Sequence, residues 1–259
     1  MIPTHLYHYT SLETLKLILE TKTFRFNRLD RMNDLLEGLN KFSAKIKDNV
    51  FISSWTEEAK DALPMWKMYT NLKGIRIRMP IDMFAFEEKM EVVKSSGKVP
   101  HYNIRSKLNR TYEIKRFPIP DVKFEDPLIR FVYGPSRIDY VNSKYALKKG
   151  LTELKEVNGK AKPFKMREIY IDQFGQRKLS FWKFENEYRY RIFYGNLSMM
   201  AANEEIIGTL IKYPVLTEFI DVEFKEECLE GLEILLGPKV SRKERIELEG
   251  FVSNLTIRN

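Results

Sequence analysis

Cysteine occurs once in the 259 residues, at Cys228, and histidine three times, at His5, His8 and His101. One thiol excludes an internal disulfide, and so few cysteines and histidines leave no zinc-binding spacing. Glycine-rich phosphate signatures are missing too. No G-x-G-x-x-G follows a strand-like run and no G-x-x-x-x-G-K-[ST] occurs, which removes the Rossmann and P-loop cradles. A G-x-S-x-G nucleophile elbow is also absent. No apolar run approaches the length of a membrane span, and Met1–Tyr7 has neither the basic region nor the apolar run of a signal peptide. The expectation is a soluble, cytoplasmic, metal-free protein without contact to a membrane.

What is present is globular in character. Hydrophobic residues make up 43% and aromatics 13%, enough to build one sizeable core, so a single domain over 1–259 is expected. Lysine and arginine outnumber aspartate and glutamate by 44 to 36, and an excess of +8 favours anionic partners. That excess is concentrated. Lys94–Arg116 holds seven basic residues against Glu113 alone, interleaved with His101, Tyr102 and Tyr112, and 144–167 holds eight against Glu153 and Glu156. Cations among rings suit a nucleic-acid backbone with stacked bases, although such runs are more often solvated faces. These become a basic insertion at about 94–125 and a basic helical segment at about 144–167.

Strand and helix periodicities alternate irregularly. Leu6–Tyr9 reads as a strand, and Thr10-Ser-Leu-Glu13 matches a capping box ahead of Leu12, Leu15, Ile18 and Leu19 at helical spacing. Thr23–Phe26 and Val50–Trp55 read as strands, Met65, Trp66 and Tyr69 fall on one helical turn, and Ile75, Ile77 and Met79 alternate with Arg76 and Arg78. Helical character follows near Ile81–Val93, and prolines at 100, 118, 120 and 127 break any long element beyond it. A strand pair is expected over Phe131–Val141, strands near Phe219–Phe224 and Leu232–Leu236, and a helix capped by Ser241 to about Val252. Without a βαβ rhythm, the class is α+β.

The richest stretch is Lys178–Tyr194. From Glu187 the pattern alternates, with Tyr188, Tyr190, Ile192 and Tyr194 on one face and Glu187, Arg189, Arg191 and Phe193 on the other. Glu185 should lie beside Glu187, giving a carboxylate pair fenced by Trp182, Phe184 and Tyr188. Arg189 lies on the same face, and its pairing with Glu187 would count against an active carboxylate.

Taken in order, Tyr7-His8-Tyr9-Thr10, Asn33-Asp34-Leu35-Leu36-Glu37, Ser53-Ser54, Met65-Trp66-Lys67-Met68-Tyr69 with Gly74, Trp182 to Arg189, and Ile234 to Gly237 form a pattern. It resembles the bacterial and phage family called domain of unknown function 2971, over nearly the whole chain, with Leu35 standing where that family usually has proline. The layout of that family in turn resembles the ADP-ribosyltransferase superfamily, which implies split mixed or antiparallel β-sheets flanked by short helices. The resemblance implies NAD as substrate. It places His8 on the adenosine-side ribose, Tyr69 or Tyr9 against nicotinamide, Glu187 on the nicotinamide ribose, and Glu185 as accessory acid or base, with Thr10 and Asn33 in the cofactor site. Arg25, Arg28, Arg31, Arg76 and Arg78 are candidates for the pyrophosphate. A carboxylate beside an oxocarbenium-like centre, and an electron-rich ring beside a cationic nicotinamide, are what that chemistry requires.

Three functions follow as expectations. The first is an NAD-dependent ADP-ribosyltransferase acting in phage–host conflict, or as a toxin-like effector, with DNA or RNA as acceptor. The second is a non-catalytic nucleic-acid- or partner-binding module on the same scaffold. The third is a metal-dependent nuclease using Asp34, Glu37, Glu185 and Glu187, disfavoured by its loose spacing.

Overall fold

The computed structural model describes residues 2–34, 36, 47–60, 62–84, 86–88, 102–105, 112–114, 128–149, 151–157, 164–196, 215, 217–252 and 256–258. The strands, in chain order, are β1 (His5–Thr10), β2 (Thr23–Arg28), β3 (Val50–Thr56), β4 (Ile75–Pro80), β5 (Phe86–Glu88), β6 (Tyr102–Arg105), β7 (Tyr112–Ile114) and β8 (Leu128–Arg137). They continue with β9 (Asp139–Val141), β10 (Thr152–Val157), β11 (Phe164–Tyr170), β12 (Arg177–Leu179), β13 (Glu187–Asn196), β14 (Phe219–Glu223), β15 (Glu233–Leu236) and β16 (Thr256–Arg258). The helices are α1 (Leu12–Thr21), α2 (Leu63–Thr70), α3 (Lys144–Lys148) and α4 (Arg242–Phe251).

The result is a mixed, mostly antiparallel open sheet with a few short helices, compatible with the α+β expectation. The main sheet runs β16-β15-β4-β1-β3-β13-β8-β7-β5, with β2 joined to β3 and to β14. Most of its pairings are antiparallel, β15 with β16 being parallel. Beside it lie a three-stranded sheet, β10-β11-β6, and a parallel ribbon of β9 and β12.

The sheet divides at β3. Its first half pairs with β2 through Asn27–Ile52 and Arg28–Phe51, while its last residue pairs with β1 through Thr56–Tyr7. Between these contacts the carbonyl of Ser54 accepts the His8 ring at Nδ1, 2.9 Å away. A side chain therefore satisfies a backbone group at the point where two strands diverge.

The core lies on one face of this sheet. Leu6, Phe24, Phe26, Trp55, Tyr190 and Ile192 belong to one cluster of buried side chains. Rings meet edge-on within it, Phe24 to Trp55 at 4.9 Å and Phe84 to Tyr190 at 4.8 Å, a favourable aromatic geometry. Tyr9 turns to the reverse face, where α2 supplies a smaller cluster of Met65 and Trp66. Gly74, after α2, is required by close approach, because a Cβ there would stand 2.2 Å from the carbonyl of Thr10.

Several expected boundaries move. Ser11, not Thr10, caps α1, its hydroxyl accepting from the Thr14 amide at 3.1 Å. The helix expected near Ile81–Val93 gives way to a turn at Ile81–Asp82, an isolated bridge from Phe84 to Phe224 and strand β5 at Phe86–Glu88, with 85 and 89–93 outside the described residues. The segment 144–167 holds one short helix, α3, before turning into strands. Its lysines reflect charge content, which carries no period. Glu37 and most of the basic insertion at 94–125 lie outside the described residues. Ser241 caps α4 as expected, and Glu244 completes a capping box with it.

Candidate functional site

Reciprocal pairing carries one face of the sheet across five strands. Glu187 pairs with Thr56, Thr56 with Tyr7, Tyr7 with Arg78 and Arg78 with Glu233, so these side chains leave the same surface in a row. At about 4.8 Å per strand, Glu187 and Arg78 stand roughly 14 Å apart along it. This face holds two polar features.

The first is a buried ion cluster at the start of β13. The 3-10 turn Ser180–Glu185 ends at Asn186, whose left-handed φ of 41° swings the chain into β13. Glu185 and Glu187 thereby converge on Lys178 of β12, at 2.5 and 3.0 Å. Arg189 grips Glu187 with Nε on Oε1 at 2.6 Å and Nη2 on Oε2 at 3.1 Å, and donates through Nη1 to the carbonyl of Gly175 at 2.9 Å. Gly175 adopts φ +68°, where side chains other than glycine are strained, and a Cβ would also meet Ile52 at 2.8 Å. The Tyr69 hydroxyl donates to Glu185, and the Glu187 amide donates to the Tyr140 hydroxyl at 2.9 Å. Lys178, Glu185, Glu187 and Arg189 are 5%, 2%, 3% and 0% exposed.

Two carboxylates thus face two cations inside the protein. Burial opposes ionisation of Glu187, but Arg189 and then Lys178 more than compensate and hold its carboxyl well below the usual range, at about 2. For Glu185 burial wins, so its carboxyl is raised despite Lys178, with Glu187 adding repulsion. Burial, reinforced by Glu185, likewise pushes the Tyr69 phenol up. Glu187 is held ionised at neutral pH, and both its oxygens are occupied. It can orient neighbours electrostatically, but it offers neither a proton nor an uncompensated charge.

Next along the strand, Arg191 is 2% exposed and donates to the carbonyls of Asp172 and Phe174 at 2.6 and 3.0 Å and to the Ser136 hydroxyl at 3.0 Å. Burial, with Arg189 nearby, lowers its guanidinium to about 10.

The second feature is a groove of about 410 Å³ lined by Tyr7, Ala59, Arg76, Arg78 and Glu233. The Arg76 guanidinium lies 4.8 Å from the centre of the Tyr7 ring and donates to the carbonyl of Lys60 at 3.3 Å. Arg78 pairs with Glu233 at 2.7 Å and contacts His5 at 3.1 Å. An aromatic face with two guanidiniums is suited to a planar, anionic ligand.

The expected site residues are only partly gathered. Tyr69, Glu185 and Glu187 come together. His8 does not, because it alternates with Tyr7 and Tyr9 and turns into the aromatic core, 5.1 Å from Trp55 and 6.2 Å from Phe24. Desolvation lowers the pKa of its ring, against the Ser54 hydrogen bond. His8 therefore cannot share a cleft with Glu187, which corrects the role implied by the resemblance. Tyr9 packs edge-on against Trp66 at 4.8 Å, and Thr10 is buried at the end of β1. Arg25 is paired with Asp221 at 2.9 Å and Arg28 with Asp30 at 2.7 Å, both on the β2 arm, while Asn33 is exposed beyond it. Asp34 accepts from the Leu36 amide at 2.9 Å, and no group of three or more His, Cys, Asp or Glu that could hold a metal ion occurs among the described residues.

Lys178 and Tyr140 escaped sequence reasoning. Each sits on a three-residue strand, too short for a period, and only the register of the ribbon, with Lys178 opposite Tyr140, joins them. No family model matches the chain, and comparison with curated proteins and with solved structures gives no match. No helix among the described residues is long and apolar enough to cross a membrane.

Proposed function

We propose that the protein is a nucleotide-binding module on an ADP-ribosyltransferase-like scaffold, with NAD as the ligand class, and that it does not turn NAD over through Glu187. The observation that carries this is the pairing of Tyr7 with Arg76 and Arg78 in one groove. Rings stack on tyrosine, guanidiniums take phosphate oxygens, and a volume of about 410 Å³ lies within the range of small-molecule sites. Division of the sheet at β3 supports the split-sheet scaffold, and fold likeness by itself would not fix function. On this reading the NAD pyrophosphate would draw Arg76 from the Tyr7 ring and compete with Glu233 for Arg78, leaving Tyr7 to take one ring of the ligand. The ribose partner that the resemblance implies is clamped: both oxygens of Glu187 are held by Arg189, and one of them also by Lys178.

A second reading, an NAD-dependent ADP-ribosyltransferase with a nucleic-acid acceptor, is favoured by the row Glu187–Thr56–Tyr7–Arg78, which puts the carboxylate on the face of the groove. Calorimetry with NAD, ADP-ribose and AMP, together with labelled nicotinamide release, separates the two. Binding that falls at least about tenfold in Tyr7→Ala and Arg78→Gln, without nicotinamide release above background, supports the module. Release that Glu187→Gln abolishes replaces it with the transferase. Absence of binding by all three ligands removes both.

A further inference from the structure

The 3-10 turn Ser180–Glu185 turns its rings outward. Phe181 is 60% and Phe184 36% exposed, and Trp182 lies near both, with centroids 5.5 and 6.1 Å away and planes inclined by 42° and 33°. Helix α3 packs, like this turn, on the β9–β12 ribbon, and contributes Tyr145, 80% exposed. Large rings left this open in neighbouring segments are the feature that a folded chain ordinarily buries.

Charge identifies what fits them. Residues 142–151 and 173–184 contain Lys144, Lys148, Lys149, Arg177, Lys178 and Lys183 and no acid. Lys178 is consumed by the two glutamates, whereas Lys144, Lys149 and Lys183 are exposed. Asp139 of the ribbon stands 4.0 Å from Arg177, too far to occupy it well. Two buried donors on these elements, Arg177 Nη1 and Trp182 Nε1, have no acceptor among the described residues. A surface of open rings and exposed lysines, with Asp139 the acid of the ribbon, asks for a ligand with flat faces and negative charge.

We infer that Tyr145, Phe181 and Phe184, with Lys144, Lys149 and Lys183, bind single-stranded nucleic acid. Bases stack on the rings, while the lysines neutralise phosphates. An apolar protein partner would use the rings without the one-signed charge. The surface is distinct from the Tyr7 groove and does not depend on nucleotide binding there.

The test is fluorescence anisotropy of the full chain with labelled oligo-dT and oligo-U of about 15 nucleotides, at about 50 and about 200 mM salt. Both should bind, and Phe181→Ala with Phe184→Ala should weaken them by about tenfold while leaving the circular dichroism unchanged. Lys144→Gln with Lys183→Gln should flatten the salt dependence. A preference for either oligomer supports the inference and identifies which nucleic acid is taken. Failure of both to bind at low salt overturns it, as does an aromatic double variant of unchanged affinity. Equal binding of a duplex of the same length also overturns it, since stacking requires unpaired bases.

Discussion

The two faces of β13 are buried to the same depth by opposite chemistry. Tyr188, Tyr190, Ile192 and Tyr194 enter an aromatic layer, where fit is a matter of shape. On the reverse, Glu187, Arg189 and Arg191 are 3%, 0% and 2% exposed, where fit is a matter of partners. A truncation on the first face leaves space, whose cost scales with the cavity. On the second it leaves a stranded charge, whose cost is largely independent of size.

The sharpest test of that contrast is Arg189→Met, which strands Glu187 with Lys178 alone and should cost about 3–5 kcal/mol in urea unfolding. Adding Glu187→Gln should restore part of the loss, because the double variant strands less charge. A double variant no more stable than Arg189→Met would mean that packing, not charge, sets the cost, and the contrast would break. On the aromatic face Ile192→Ala should cost about 2–4 kcal/mol in the same assay, with no rescue available from a charge change. Tyr69→Phe should cost less, about 1–2 kcal/mol, since Glu185 keeps Lys178 when it loses the phenol.

The smallest effect is in pH dependence, where the faces separate by range. Burial lowers the His8 pKa below the ordinary 6.5, so the unfolded chain binds more protons and stability falls as pH drops through 6.5. Glu187 is depressed, so its contribution is present above 4.5 and is lost as pH falls toward 2. Glu185 is raised by burial and has the opposite sign, offsetting part of that loss. Chemical denaturation across pH should show His8→Phe flattening only the upper range. A change confined to the acid limb would place His8 in the wrong environment.

Legibility in the sequence followed periodicity. The alternation of β13 is strong enough that its two faces, and the partnership of Arg189 with Glu187, could be read before any coordinates. The caps of α1 and α4 were legible to within a residue because a hydroxyl just ahead of a helical run is a local signal. His8 was misread for a physical reason: its neighbour Tyr7 lines the groove, and one step along a strand reverses the face. Lys178 and Tyr140 were not legible, since their proximity is created by a parallel pairing of two three-residue strands far apart in sequence. The Tyr7–Arg76–Arg78 groove was half visible, its arginines evident and its ring assigned to the adjacent tyrosine.

The alternation of β13 also bears on how the chain finds its pairing. Arg191 must meet Ile52 and Glu187 must meet Thr56 across a long intervening stretch of chain. A slip of one residue would drive two arginines and a glutamate into the aromatic layer and expose the tyrosines to lysine and carboxylate. Every slip by an odd number of residues is therefore penalised at several positions together. The central strand works as a key that turns in one register, and assembly of the sheet gains its fidelity from the same charges that the finished protein conceals.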